Sequence, residues 1–153
     1  MNPTKKKLDS AVKIFDDRAY EIVKEFQRSP KKGPTPFESR WGSFKRQAYR
    51  LIRNTKSSQG GHKVIKSIVR SEDRIPAYLL YKGNEFHWGL LAIDPHGVVL
   101  DAKRLSLISR QLKYADNHDV PAHYLVGFLY QSGASTSTAK KLALGACEPW
   151  RPK

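Results

Sequence analysis

At 153 residues the chain is long enough for one compact domain with a proper core and barely long enough for two, and 39% hydrophobic with 10% aromatic content excludes a disordered polyelectrolyte. Twenty-eight Lys and Arg against 14 Asp and Glu leave a net charge of +14, so polyanions are the expected partners, nucleic acid first and an anionic membrane surface second. A single cysteine, Cys147, excludes an intramolecular disulfide and a cysteine-built zinc site, and no run approaches the ~20 apolar residues of a membrane span, so a cytoplasmic chain with no membrane partner is expected.

In chain order, Leu8, Val12, Phe15, Ala19, Ile22 and Phe26 step by four and three, the stripe of an amphipathic helix, with Asn2 and Pro3 as its start signal. Lys5, Lys6, Lys7 and Lys13 make this helix either a phosphate-contacting arm or a solvated face. Residues 1–30 are therefore read as a basic N-terminal helical arm and 31–153 as the main domain. Ser29 to Pro36, with its three prolines, is a linker. Thr35-Pro36-Phe37-Glu38 has the pattern of a capping box with Pro at the first helical position, and Phe37, Trp41, Phe44, Ala48 and Leu51 then recur at helical spacing to about Asn54. Such a stripe places these aromatic residues in a core rather than on a base-stacking surface.

After the break at residues 55–61 the pattern shortens. KVIKSIVR (63–70), IPAYLLYK (75–82) and FHWGLLAI (86–93) read as strands, and Asp94-Pro95-His96-Gly97 suits a type I turn into a return strand, VVLDAK. Ser106 can cap a helix carrying Leu107, Ile108, Leu112 and Ala115. AHYLVGFLY (122–130) reads as a central strand buried on both faces, and residues 135–146 as a closing helix. The expected fold is α/β, a central mixed sheet flanked by helices.

On the return strand Asp101 and Lys103 share one face, ~7 Å apart, and can address one small site. A carboxylate that holds a hard divalent cation and a lysine beside the attacked phosphate suit phosphodiester hydrolysis, although a cross-strand ion pair uses the same residues. Here the sequence resembles the PD-(D/E)xK nuclease superfamily, nearest to its small Holliday-junction-resolvase and phage-endonuclease members. The likeness spans Phe37 to Phe128: PFESRW with Glu38, LDAK with Asp101 and Lys103, and SRQLKYADNHDVPAHYLVGF with Gln111.

That resemblance implies a restriction-endonuclease-like core and a Mg²⁺- or Mn²⁺-dependent endodeoxyribonuclease that nicks DNA or cuts it at a junction or site. By the same resemblance Asp101 and the Ala102 carbonyl bind metal, Lys103 assists the water, and Glu38 and Gln111 support the site. The acid expected on the preceding strand is not cleanly present, since Asp94 falls in the turn. Glu85 is taken as the further ligand with His87 behind it; alternation puts both on the wrong face, which a bulge would reverse, and Glu85 could also swing in from the loop KGNE. Lys31, Lys32, Arg40, Lys45, Arg46, Arg50, Arg53, Lys63, Lys66 and Arg70 are the expected DNA contacts, with a homodimer left open. The alternatives are a non-catalytic basic nucleic-acid-binding protein and a toxin-like ribonuclease.

Overall fold

A computed structural model describes residues 3–28, 39–57, 63–65, 67–68 and 85–132. Its elements are α1 (Pro3–Arg28), α2 (Arg40–Ser57), α3 (Glu85–Ile93), α4 (Ala102–Asn117), a 3-10 turn (Ala122–Tyr124) and α5 (Leu125–Ser132). The described parts of 63–68 are also helical, and no strand occurs among the described residues. The expected mixed-sheet α/β architecture, with its restriction-endonuclease-like core, is therefore corrected to a fold that is helical, without a sheet, across the described residues. The expected linker at 29–36, the capping box at 35–38, the strand at 75–82 and the helix at 135–146 lie outside the described residues.

The first two helices follow their stripes. Phe15, Ala19, Ile22 and Phe26 of α1 are buried, with Leu8 and Val12 packed against them, and Phe44, Ala48, Tyr49, Leu51 and Ile52 of α2 are buried opposite. Each large apolar side chain so removed from water contributes about 1.5–3 kcal/mol. α2 runs through Lys56 to Ser57, past the expected end near Asn54.

The segment 86–93 is helical because it is buried nearly all round: Phe86, Gly89, Leu90, Leu91, Ala92 and Ile93 are enclosed by α1, α2 and α4. A helix without a polar face shows no 3.6-residue period, so its apolar run looks like a strand. Gly89 allows α3 to approach α2, since a Cβ there would lie 2.6 Å from Ile52 Cδ1 and Cγ1.

The turn after α3 is present, closed by the Gly97 N–H donating to the Asp94 carbonyl at 3.2 Å, with Gly97 at φ 65°. No return strand follows it. The buried Asp94 carboxylate accepts the N–H groups of Val98, Val99 and Leu100 at 2.9, 2.9 and 2.8 Å, satisfying a backbone that a sheet would otherwise have paired. Asp101 then caps α4, its Oδ1 accepting the Arg104 N–H at 2.7 Å. The helix thus begins well before Ser106 and gains Leu105 for its buried side, with Ile108, Leu112 and Ala115.

The expected central strand at 122–130 is a 3-10 turn and a helix. Leu125, Phe128, Leu129 and Ser132 are buried at helical spacing, and Tyr124 and Tyr130 are exposed. Tyr49 Oη and Arg53 Nη1 both donate to the Val120 carbonyl, at 2.6 and 2.7 Å, fixing this connection against α2.

Candidate nucleic-acid interface

Basic residues divide here into those neutralised inside the fold and those left over. One continuous ladder of opposite charges runs Asp119, Arg53, Asp116, Lys56, Glu85, Lys113, with contacts of 2.7, 3.1, 2.7, 2.9 and 2.9 Å. It ties α2 to α3 and α4, and its three acids cancel its three bases. Burial works to raise the Glu85 pKa, but hydrogen bonds from Lys56 and Lys113 outweigh it and hold the carboxyl down at about 2. For Lys56 burial opposes the charge, and hydrogen bonds to Asp116 and Glu85 reverse this, so its pKa is raised.

A second set of cations gathers where the C-terminal end of α1 meets the first turns of α2 and α4. Phe26, Trp41 and Phe44 form an edge-to-face cluster with centroids 4.5 to 5.9 Å apart. The Arg40 guanidinium carbon lies 4.2 Å from the Phe26 centroid and that of Arg104 lies 4.4 Å from the Trp41 centroid, both within cation–π range. Lys45 lies one turn along α2 from Trp41. Burial pushes its ammonium below the ordinary lysine value, and the neighbouring Arg104 charge pushes it the same way. Among the described residues no ion pair engages Arg40, Lys45 or Arg104. Asp101, at the start of α4, turns its carboxylate to the cap. Cations held together with no ion-paired acid among the described residues suit an external polyanion.

The residues expected to hold a divalent ion do not come together. Asp101 and Ala102 are exposed at the start of α4, while Glu85 is held by Lys113, whose backbone lies twelve residues from Asp101 along that helix, about 18 Å at the helical rise. Lys103 is exposed in the first turn, directed by a helix and no longer by strand alternation. Gln111 is buried within α4, and its shielded Oε1 has no hydrogen bond among the described residues. His87 packs edge-on against Trp88 at 5.2 Å. Glu38 lies outside the described residues. Among those described, no group of three or more His, Cys, Asp or Glu could hold a metal ion.

Of the expected DNA contacts, Lys31, Lys32, Lys66 and Arg70 lie outside the described residues. Arg53 is committed to the ladder. Arg40, Lys45 and Arg46 are half-buried, and Arg50 and Lys63 are exposed. The groove between α1 and α2 sets Arg18 and Arg50 beside Asp17 and Glu21, so its charge is balanced and it is the weaker anion site. Arg104 is a member of this cation cluster that the sequence did not single out; the adjacent Lys103-Arg104 pair opening an apolar helix was the available signal. Comparisons with protein-family models, with curated proteins and with solved structures found no match. Among the described residues no helix is long and apolar enough to cross a membrane.

Proposed function

We propose that this chain is a non-catalytic nucleic-acid-binding protein. The observation that carries this reading is the convergence of Arg40, Lys45 and Arg104 on the Phe26–Trp41 edge with no ion-paired acid among the described residues. The charge surplus of +14 agrees with it, because the internal ladder is electrically neutral and consumes none of the excess. Phosphates bound here release counterions from the nucleic acid, which supplies sequence-independent affinity that falls with salt. A single cysteine suits the reducing cytoplasm.

The test is gel retention of plasmid and of DNA and RNA oligonucleotides across a salt series, with parallel incubations in Mg²⁺, Mn²⁺ and chelator. Retention that weakens steeply with salt while every substrate stays intact supports the reading. Nicks or breaks that require a divalent ion and vanish in Asp101→Asn would return the endonuclease in its place, and absence of retention at low salt would remove both.

A further inference from the structure

We propose that the edge formed by Arg40, Phe26, Trp41 and Arg104 takes single-stranded nucleic acid, with the outer side of the Arg104 guanidinium as the plane on which a base stacks. This rests on the nucleic-acid-binding reading and narrows it to unpaired strands.

Arg104 combines two properties seldom found in a plain phosphate contact. Its side chain is exposed, yet its guanidinium carbon lies over the Trp41 ring, 4.4 Å from the centroid, so the group rests on indole while the residue stays open to solvent. The backing is firm. Trp41 is only half-exposed and meets Phe26 and Phe44 edge-to-face at 4.5 and 5.9 Å, and Phe44 is 1% exposed. A guanidinium fixed this way has already given up its rotamer freedom, which a free surface arginine would lose only on binding.

A flat, preorganised cation is useful to bases that are not already stacked and paired. In a duplex the base faces are covered by one another and only groove edges and phosphates are offered. In a single strand the faces are open, and stacking on aromatic or guanidinium planes is the common mode of capture. Steps of 4.2, 4.5 and 4.4 Å through Phe26 and Trp41 put the Arg40 and Arg104 guanidinium carbons no more than about 13 Å apart, so one short stretch of strand meets both. Lys45 and the exposed Lys103 flank Arg104 and supply phosphate contacts.

The experiment is fluorescence anisotropy with full-length protein on a labelled DNA 20-mer, the RNA of the same sequence and the matching DNA duplex, at several salt concentrations. Wild type is compared with Arg104→Lys, which keeps the charge and discards the plane; thermal unfolding checks that the variant is folded. The expected result is tighter binding of both single strands than of duplex, and a loss of about fivefold or more on single strands in Arg104→Lys with an unchanged salt slope. Duplex binding should change less than about twofold, since phosphate attraction is retained. Equal affinity of wild type for duplex and single strands, or an Arg104→Lys protein that holds single strands as wild type does, overturns this inference alone. Failure of wild type to bind any of the three overturns the underlying reading as well.

Discussion

The Lys56 ammonium lies between the carboxylates of Glu85 and Asp116, 2.9 Å from one and 2.7 Å from the other, and so joins α2 to α3 and α4 through a single side chain. Because Lys113 also donates to Glu85, at 2.9 and 3.1 Å to its two oxygens, Glu85 is the acid on which two helices converge.

That convergence sets the acid limb of stability. The folded-state pKa of Glu85, about 2, lies below its ordinary value of 4.5, so its contribution is present above about pH 4.5 and is lost as pH falls towards 2. Since Glu85 is 36% exposed, solvent screening reduces the effect to about 1 kcal/mol. Urea unfolding of wild type and Glu85→Gln from pH 6 to 2 should show the variant weaker by that amount at pH 6 and the two curves converging near pH 2. Parallel curves would contradict the assignment.

Asp101 separates structural from catalytic use of one carboxylate. As an N-cap its loss in Asp101→Ala should cost about 1 kcal/mol, and Asp101→Asn, which still offers an oxygen to the Arg104 N–H, should stay within about 0.5 kcal/mol of wild type. Both variants should retain nucleic acid at least as well as wild type, since each removes a negative charge beside the cations. Chemical denaturation with gel retention on the same preparations checks this; a cleavage activity lost in Asp101→Asn would contradict it.

The contact of α2 with α3 depends on an absent side chain. Ala at position 89 would ordinarily favour a helix by up to about 1 kcal/mol over Gly, but its Cβ meets the fully buried Ile52. Overpacking of this kind costs about 1–3 kcal/mol, so Gly89→Ala should destabilise and Ile52→Val, which removes Cδ1, should return part of the loss. A double-mutant cycle by denaturation measures the coupling.

How far the fold was legible follows from which faces are wet. Phe15, Ala19, Ile22 and Phe26 alternate with exposed residues, so α1 could be read directly, as could Phe44, Ala48 and Leu51 of α2. In α3 the period is erased by burial. At Val98 to Leu100 two β-branched residues and a leucine suggest a strand, and only the position of the Asp94 carboxylate, six residues from its last partner, keeps it irregular. Leu125, Phe128 and Leu129 did carry a helical period within 122–130, outweighed by the continuous apolar run around it. The Asp101–Lys103 spacing gave a shared site only under strand alternation, and so went with the strand. The ladder was visible in part, as Lys113 and Asp116 three apart on one expected helix, whereas Lys56 lay beyond the expected end of the helix that carries Arg53. Nothing in sequence order joins them to Glu85.

Lys45 should show function opposed to stability. Burial and the Arg104 charge both disfavour its ammonium, so Lys45→Met, which keeps the stem and removes the charge, should stabilise the fold by about 0.5–1 kcal/mol. The same variant should bind nucleic acid more weakly, with a salt slope shallower by about 0.7–0.9. Thermal unfolding and anisotropy read the two effects separately, and a variant that is both less stable and unchanged in binding would contradict the arrangement.

The most direct test of a polyanion site at this edge is the salt dependence of binding by Lys45→Gln/Arg104→Gln against wild type, as log Kd over log salt from about 50 to 200 mM, the range over which phosphate contacts lose most affinity. Removing the Lys45 phosphate contact should flatten the slope by about 0.7–0.9, and loss of the Arg104 charge beside the strand should bring the total to at most about 1.4–1.8, with weaker binding at low salt and the fold intact by circular dichroism. A double variant with the wild-type slope and affinity would place the binding surface elsewhere and contradict the account.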